Sequence, residues 1–404
     1  MSTRLLYHAF GVRGYEYRST EYAKGGVTRT IEQPRQALCC SPCGGRHVHA
    51  KGGVTREFRS LPIGGKPVRL RLTVPRVLCR TCFVDRPVKI GFADPKKSYT
   101  RSFARSVIEL AGMMTLADVA RHLQIRWDIV KGIVGDDLER RFAKPKRRSL
   151  KRIAIDEIDL GKRHQYLTIV RGLDRGAIVF VGDGKGEKSL EPFGNRLRHS
   201  RAKIAAVAAD LSPAYSAAIR KNLPEAQLVF DRFHLVKLLN ERLTELRRER
   251  HREATDKLHQ KVLKGTRWLL LKHSADLDPK RHERQRLKEA LQLNASLATA
   301  DYLKEDLAQI WQQPGKVSAR IILDQGIADA ESSGIRQRMK FARTLQIHRE
   351  GILNWYDHPI STGPLEGTNN KIKLLQRQAY GYRDLPFFKL KLLALHNSQH
   401  ALVG

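Results

Sequence analysis

Three aspartates, each at the end of a short apolar run, are the residues whose type and spacing could do chemistry. Asp156 interrupts the run KRIAIDEID, Asp210 ends IAAVAAD, and Asp231 ends QLVFD. A strand that ends in Asp just before a loop or helix often presents that carboxylate where ligands bind. Each Asp taken alone could instead cap a helix. Several of them in one strongly basic chain favour a metal site made of carboxylates.

The cysteines form a second candidate metal site near the N-terminus. Cys40 and Cys43 make one C-x-x-C knuckle, and Cys79 and Cys82 make another, with enough chain between them for the hairpins of a zinc ribbon. Tetrahedral zinc needs four soft donors, which two knuckles from opposite hairpins supply. Reduced, buried thiols are the alternative, although they do not explain the paired spacing. Cys39 is predicted to be spare.

From Tyr99 to Val134, apolar residues recur at helical spacing. The segment TLADVARHLQIRWDIVKGIV predicts a helix, a tight turn at 124–126 and a second helix. This is the order of a helix-turn-helix, whose second helix would present Arg126, Trp127 and Lys131 to a DNA groove. A plain helical hairpin is the alternative. The position of the segment between a zinc ribbon and a basic linker favours DNA.

Strands and helices alternate after the basic linker AKPKRRSLKR. The predicted strands are 153–158, 166–171, 177–182, 204–210 and 227–231, and the predicted helices among them are 187–198 and 213–221. Three paired strands followed by alternating helix and strand is the order of a ribonuclease-H-like α/β fold. From Phe233 to about Asp357 only helices are predicted, with a face rich in arginine.

A basic helix follows in the segment STGPLEGTNNKIKLLQRQAYGYRD, where Lys371, Lys373 and Arg377 could contact DNA. Glu366 falls in its first turn, where the helix dipole alone would account for an acid. A catalytic role for Glu366 is therefore inferred only because Asp156 and Asp210 could complete an acidic site with it.

The heptapeptide AKGGVTR occurs twice, at 23–29 and at 50–56. The residues that flank the two copies differ, so the repeat does not indicate a solenoid. Two similar hairpin turns are predicted.

Composition limits the possible partners. At 404 residues the chain should hold two or three domains, and its net charge of +34 with a pI near 10.3 indicates a polyanionic partner, most simply nucleic acid. No apolar run approaches the roughly 20 residues of a membrane span, and no signal peptide is apparent. The sequence therefore predicts a soluble cytoplasmic protein that does not bind membranes.

With these motifs in order, the chain resembles DDE insertion-sequence transposases of the ISL-three family over nearly its full length. The resemblance rests on AIDEI, VAADLSPAY, VFDRFHLVKLLNE and GPLEGTNNKIKLLQRQAYGY, of which the last two are the most specific. It implies the catalytic acids Asp156, Asp210 and Glu366, with Asp231 and His234 as accessory residues. One departure is that the second knuckle, CRTCFVD, lacks the glycine that often follows its second cysteine, which affects the geometry of that turn.

The resemblance also implies a domain order and a chemistry. The expected segments are a zinc ribbon domain (1–92), a helix-turn-helix domain (93–143), the first part of a ribonuclease-H-like catalytic core (144–235), an α-helical insertion (236–357) and C-terminal core helices (358–404). Two Mg²⁺ ions, replaceable by Mn²⁺ in vitro, would be held by the three catalytic acids, with Asp156 bridging both. The four knuckle cysteines would hold structural zinc.

The implied activity is cleavage at the terminal inverted repeats of an insertion sequence, followed by strand transfer into target DNA. The partners would be double-stranded DNA and further copies of the chain, as a homodimer or higher oligomer on nucleoid DNA. Two alternatives stay open from sequence: a non-catalytic DNA-binding regulator on an inactive nuclease scaffold, and a ribonuclease-H-like nuclease that acts on hybrids or junctions.

Overall fold

A computed structural model describes residues 3–161, 165–266, 268–272, 276–292 and 295–396. Parts of the predicted N-terminal domain (1–2), core (162–164), helical insertion (267, 273–275 and 293–294) and C-terminal segment (397–404) lie outside the described residues. The chain forms two compact units, one from the described residues of Met1–Ala143 and Leu375–Gly404, the other from those of Lys144–Leu374. The domain boundaries expected from sequence stay predictions.

The first unit opens with α1 (Thr3–Phe10) and a five-stranded sheet. Its strands are β1 (Glu16–Ala23), β2 (Gly26–Glu32), β3 (Val48–Ile63), β4 (Lys66–Cys79) and β5 (Asp85–Pro87), in the order β1-β2-β4-β3 with β5 also paired to β4. β3 and β4 make a long hairpin, because Gly64 and Gly65 both take the positive φ that a two-residue turn requires. Val68, Leu70 and Leu72 of β4 alternate into the core beside Phe58.

The two AKGGVTR copies adopt different structures, so the prediction of two hairpin turns is wrong for the second copy. In the first copy, Lys24 and Gly25 form the turn between β1 and β2, with φ of 50° and 71°. The second copy lies inside β3, where pairing shifts between Ala50 and Gly53 and Gly52 has a φ of 79°. This is a β-bulge. The continuous partner strand β4 keeps the second copy extended instead of letting it reverse.

Three helices of the first unit form the helix-turn-helix: α2 (Arg101–Ala111), α3 (Leu116–Leu123) and α4 (Trp127–Phe142). Thr100 and Thr115 begin α2 and α3 by accepting backbone N–H bonds through their side chains. Gln124 ends α3 in the left-handed region, at the predicted turn. The helix α14 (Leu385–Ala394) packs against α4 through Phe387.

The second unit contains the ribonuclease-H-like sheet. Its elements are β6 (Arg152–Asp159), β7 (Tyr166–Gly172), β8 (Ile178–Asp183), α5 (Glu187–Arg198), β9 (Ala206–Ala209), α6 (Pro213–Asn222) and β10 (Gln227–Phe230). The strand order is β10-β9-β6-β7-β8, in which β6, β7 and β8 are antiparallel while β9 runs parallel to both β6 and β10. This is the predicted meander followed by alternating helix and strand, so the fold-class prediction is confirmed.

Helices complete the second unit. They are α7 (Arg232–Glu253), α8 (Lys257–Gly265), α9 (Glu283–Gln292), α10 (Ala295–Ile310), α11 (Lys316–Glu331), α12 (Arg336–Leu353) and α13 (Gly363–Gln378), of which the part up to Leu374 belongs to this unit. α12 covers the edge strand β10 closely, because a Cβ on Gly351 would lie 2.4 Å from the Phe230 ring. Asn354 also donates a hydrogen bond to the Leu228 carbonyl. The helical bundle therefore protects a sheet edge.

Candidate active site and zinc centre

Strand register brings Asp156 and Asp210 to the same edge of the sheet. β6 and β9 are parallel neighbours, and Ala154 pairs with Ala208. Asp156 and Asp210 each follow that pair by two residues. Because neighbouring strands lie about 4.8 Å apart, the two acids emerge side by side where β9 has ended.

The Asp156 carboxylate is half-buried and accepts two hydrogen bonds. Glu157 donates its backbone N–H to Oδ1 at 2.8 Å, and Asn369 donates its side-chain amide to Oδ2 at 2.8 Å. Burial raises the pKa of Asp156 to about 6; the Glu157 amide and the charge of His234 oppose this rise, whereas the charge of Asp210 adds to it. A cation beside these carboxylates would favour their ionised form.

Glu366 lies on the helix that the Asn369 side chain joins to Asp156. It lies exposed in the first turn of α13, three residues before Asn369, and residues at this spacing share a helix face. The three carboxylates of Asp156, Asp210 and Glu366 do not form a tight cluster, however. In the described part of the chain, the four knuckle cysteines are the only group of three or more possible ligands close enough to hold one metal ion, and their sulfur atoms lie within 4.8 Å of one another.

Asp231, unlike Asp156, has a structural role. It is 4% exposed and caps α7, accepting the Phe233 N–H on Oδ1 at 2.9 Å. Its Oδ2 accepts both the N–H and the hydroxyl of Thr362, at 2.7 and 2.6 Å. The capping alternative therefore describes this Asp, and the same carboxylate ties the start of α13 to the end of β10. His234 follows within the first turn of α7 and is half-buried.

Asn369 is a site residue that the sequence reasoning missed. It is 8% exposed; its Nδ2 donates to Asp156, whereas its Oδ1 has no hydrogen-bond partner among the residues that the structure describes. Buried polar atoms in proteins nearly always find a partner, so an orphaned amide oxygen beside a carboxylate fits a hydrated cation. The signal available in the sequence was an amide one helical turn after Glu366, in the motif EGTNN.

A cleft of about 570 Å³ adjoins this acidic edge, and its lining carries both cations and the acids Asp210 and Glu241. Asp210 and His234 line one side of it, and α6 and α7 contribute the cations Arg220 and Lys237. His348 of α12 also lines the cleft, where burial lowers its pKa, and its ring packs edge-on against Phe230 with the centroids 4.5 Å apart. Cations beside carboxylates suit a phosphate that approaches a metal-bearing edge.

The four knuckle cysteines converge as zinc ligands should. The Sγ atoms of Cys40 and Cys82 are 3.5 Å apart, and those of Cys43 and Cys79 are 3.6 Å apart. Tetrahedral ligation with Zn–S bonds of about 2.3 Å places sulfur atoms about 3.8 Å from each other, so the geometry fits zinc. Cys39 lies outside the cluster. The backbone amides of the second knuckle, chiefly that of Cys82, lower the pKa of the Cys79 thiol and so favour the thiolate that binds metal.

The second knuckle keeps its turn although the expected glycine is missing. Gly44 follows Cys43 with a φ of 71°, and Phe83 follows Cys82 with a φ of 56°. Phe83 donates its N–H to the Cys79 carbonyl at 3.0 Å and leaves its ring 82% exposed. A non-glycine residue in this region carries a cost of about 1 kcal/mol, so the metal centre holds Phe83 in a strained conformation.

The predicted DNA-binding residues of the helix-turn-helix differ in availability. Arg126 is exposed and forms a bidentate pair with Asp128, both bonds being 3.0 Å. Trp127 is half exposed, and the Lys131 ammonium lies over its ring. That ammonium also forms an ion pair with Asp384 at 2.5 Å. Arg126 and Lys131 therefore each have an acidic partner, but the Arg126 side chain is largely exposed whereas that of Lys131 is mostly covered.

The predicted DNA-binding residues of α13 are uniformly exposed. Lys371, Lys373 and Arg377 lie within the helix and point away from its buried positions Ile372 and Leu375. In the part of the chain that the structure describes, no ion pair is seen for any of the three cations. Their charge is therefore available to an anionic partner.

A sheet of this order, with acids on two neighbouring parallel strands, defines a ribonuclease-H-like fold, here accompanied by a zinc ribbon and a helix-turn-helix. Three family profiles match in the same order: the zinc-finger of transposase IS204/IS1001/IS1096/IS1165 at residues 36–82, the helix-turn-helix domain of transposase family ISL3 at 88–136, and the ISL3 transposase domain at 153–392. The chain belongs to the ISL3 family of transposases.

Two sequence relatives agree with this assignment. The transposase for insertion sequence element IS1001 of Bordetella parapertussis is 30% identical over 98% of this chain and 98% of its own length. The transposase for insertion sequence element IS1557 of Mycobacterium tuberculosis is 29% identical over 97% of this chain and 94% of its own. A solved Drosophila P element transposase strand transfer complex is 12% identical, with a TM-score of 0.38, over 67% of this chain and 82% of that one.

The identification as a DNA transposase with a zinc ribbon and a DNA-binding helix-turn-helix is thereby confirmed. In the described part of the chain, none of the helices combines the length and the apolar character that crossing a membrane requires.

Proposed function

We propose that this chain is a DDE transposase that binds the terminal inverted repeats of its insertion sequence and catalyses metal-dependent strand cleavage and strand transfer. The observation that supports this most directly is the shared edge of Asp156 and Asp210, joined to the helix of Glu366 by the Asn369 hydrogen bond. Carboxylates from two neighbouring strands and a later helix can hold hard cations beside one phosphate.

The residues proposed to hold Mg²⁺, or Mn²⁺ in vitro, are Asp156, Asp210 and Glu366. When bound, the ions supply charge stabilisation at the phosphate and help to activate an oxygen nucleophile. Asn369 orients the Asp156 carboxylate through its 2.8 Å hydrogen bond. Asp231 acts as a positioning residue, because its bonds to Thr362 fix the start of the helix that carries Glu366.

The proposed reaction has two phosphodiester steps. Water attacks the phosphate at the element end, the bond to the 3′ oxygen breaks, and a 3′-hydroxyl is released. That hydroxyl then attacks a target phosphate and loses its proton while a target 3′ oxygen leaves as a hydroxyl. No covalent bond to the protein is needed. Arg220, Lys237 and His234 line the cleft beside Asp210, where they would hold the phosphates that flank the reacting bond.

DNA recognition is proposed to be divided between the two units. Arg126 and Trp127 begin the second helix of the helix-turn-helix, the position that reads a major groove. Lys371, Lys373 and Arg377 would contact backbone phosphates. Because transposition joins two element ends, we infer a homodimer or higher homo-oligomer acting on nucleoid DNA.

The experiment is a cleavage assay on a duplex that carries the element end, with binding measured separately. Asp156→Asn and Glu366→Gln should each reduce Mg²⁺-dependent cleavage by at least about 10³-fold, since each removes a proposed metal-binding carboxylate. End binding should stay within about twofold, because neither change touches the helix-turn-helix. Asp159→Asn is the matched control, being an exposed carboxylate on the same strand.

Two outcomes would contradict the proposal. Retained cleavage by Asp156→Asn would show that the Asp156 carboxylate is not required for the reaction. End binding by the unaltered protein without any metal-dependent cleavage would instead identify a regulator on an inactive nuclease scaffold.

A further inference from the structure

A second, strongly basic groove lies in the helical part of the second unit, at the end of α7 that is distant from the acidic edge. It has a volume of about 870 Å³ between the C-terminal turns of α7 and the helix α8. Its lining consists of Arg247, Arg248, His251, Arg252, Lys257, Gln260, Lys261 and Lys264. These residues include cations from both helices and no carboxylate.

The described residues that line the groove include no acid to balance their charge. Elsewhere in the helices of this unit, Arg242 pairs with Glu245 and Arg349 with Asp324. Lys257, Lys261 and Lys264 are exposed and recur at helical spacing on one side of α8. Like charges at this spacing repel one another and destabilise the helix that carries them. An anion held between α7 and α8 would convert that repulsion into attraction.

Backbone contacts organise the groove before any anion arrives. Arg247 of α7 donates to the Leu263 carbonyl of α8 at 3.1 Å, which braces the two helices. Arg252 donates to the Arg248 carbonyl at 3.3 Å. Arginines held in this way lose less conformational freedom on binding, so the groove is prepared for a charged ligand.

We propose that this groove binds the phosphate backbone of duplex DNA without reading its sequence. Sites for single strands combine cations with aromatic rings on which bases stack, and the described lining of this groove contains no Phe, Tyr or Trp. Sites for protein partners have an apolar centre, which is also lacking among the lining residues. The inference rests on the proposed function in that DNA is taken as the polyanion.

The helix α7 sets the distance between the groove and the proposed reaction site. His234 lies in its first turn, and Arg248 follows fourteen residues later in the same helix. At about 1.5 Å per residue this separation is about 21 Å. A duplex running along α7 would therefore contact the groove about six base pairs from the reacting phosphate, at about 3.4 Å per base pair.

The test compares two triple variants of the full-length protein. Lys257→Gln, Lys261→Gln and Lys264→Gln together remove three charges from the groove. Lys280→Gln, Arg284→Gln and Lys288→Gln are the matched control, since these three cations are exposed in the same unit and lie outside the groove. Binding to a duplex without element ends is measured by fluorescence anisotropy over a range of salt concentrations, in metal-free buffer.

The groove variant should weaken binding by at least about tenfold near 0.1 M salt. It should also lower the slope of log Kd against log salt by up to about 2.7, or about 0.9 for each phosphate that the lysines no longer neutralise. The control should change either quantity by much less. A charge-conserving variant, Lys257→Arg, Lys261→Arg and Lys264→Arg, should keep the unaltered affinity, which separates loss of charge from loss of fold.

Equal weakening in the groove variant and its control would overturn the inference, because net charge alone would then account for the loss. Loss of binding to anionic lipid vesicles with unchanged DNA binding would overturn it as well. If the unaltered protein bound no DNA at all, the proposed function itself would fail. Unchanged DNA binding by the groove variant would overturn the proposal that the groove binds DNA, but it would leave the proposed function intact.

Discussion

The zinc centre and the acidic site are assembled in different ways. Each cysteine knuckle lies within four consecutive residues, and β4 leads directly into the second knuckle at Cys79. The acids come from β6, from the end of β9 and from α13, which begins after the whole helical bundle. The four sulfur atoms lie within 4.8 Å of one another, whereas the three carboxylates do not form such a group.

This difference teaches that short sequence spacing is sufficient to form the zinc centre, whereas the acidic site depends on long-range contacts. Strand register fixes Asp156 beside Asp210. The approach of α13 depends on two hydrogen-bonded contacts, from Thr362 to Asp231 and from Asn369 to Asp156. The zinc centre should therefore respond most strongly to loss of its own ligands, whereas the acidic site should also respond strongly to changes outside them.

The largest effect is expected from loss of a zinc ligand. Cys79→Ser should abolish zinc binding and unfold the ribbon, because structural zinc contributes on the order of 10 kcal/mol to the folding of small metal domains. Zinc content by metal analysis and circular dichroism measure the two effects. Cys39→Ser, next to the first knuckle but outside the cluster, should retain one zinc per chain. Zinc retention by Cys79→Ser would contradict the four-cysteine centre.

A smaller but global effect is expected at the acidic site when Asp231 is changed. Asp231→Ala removes a helix cap and leaves the buried Thr362 donors without an acceptor, which should lower the free energy of unfolding by about 3 kcal/mol. Thermal or urea unfolding measures this loss. Thr362→Ser keeps both donors and should behave like the unaltered protein. Full stability of Asp231→Ala would refute the idea that this contact holds α13.

Asn369 provides the most direct test of the outer part of the acidic site. Asn369→Ala should weaken Mn²⁺ binding, measured by electron paramagnetic resonance, and DNA cleavage by about 10-fold or more, the range typical for residues that orient metal ligands. Asn370→Ala is the matched control, because Asn370 is the next amide along and is exposed. Equal effects of the two substitutions would mean that the hydrogen bond to Asp156 has no special importance.

The smallest predicted effect returns to the zinc centre. Phe83→Gly should relieve the left-handed strain at the second knuckle and stabilise the zinc-bound form by about 0.5–1 kcal/mol, which competition with a chelator can measure. Phe83→Ala removes the same exposed ring but keeps the Cβ, so it should give little gain. If Ala and Gly were equally stabilising, the benefit would come from removing the ring and not from the backbone.

The sequence predicted well what depends on neighbouring residues. The knuckles, the turn at Gln124 and the alternating strands all rest on local spacing and propensity. Asp156 and Asp231 look alike in sequence, since each ends an apolar strand. What separates them is the contact that each makes with the segment around Thr362 and Asn369, more than a hundred residues away. No local pattern contains that information.

The AKGGVTR copies also show that local sequence alone does not determine structure. Identical residues form a hairpin turn at 23–29 and a bulge at 50–56. Gly25 and Gly52 both take a positive φ, so the local backbone preference is kept in each copy. The strand with which each copy pairs decides whether the chain reverses or continues, and the seven residues of the copy do not encode that partner.

The bond between Asp231 and Thr362 has a consequence for how the fold can change. It joins the two ends of an excursion of 131 residues at a single point, so that the helical bundle leaves and re-enters the sheet at the same place. Closing a loop costs only about 0.6 kcal/mol more for each doubling of its length. The bundle is thus a module whose size can vary by insertion or deletion while the three acids keep their positions, provided that this buried junction and the packing of α12 on β10 are preserved.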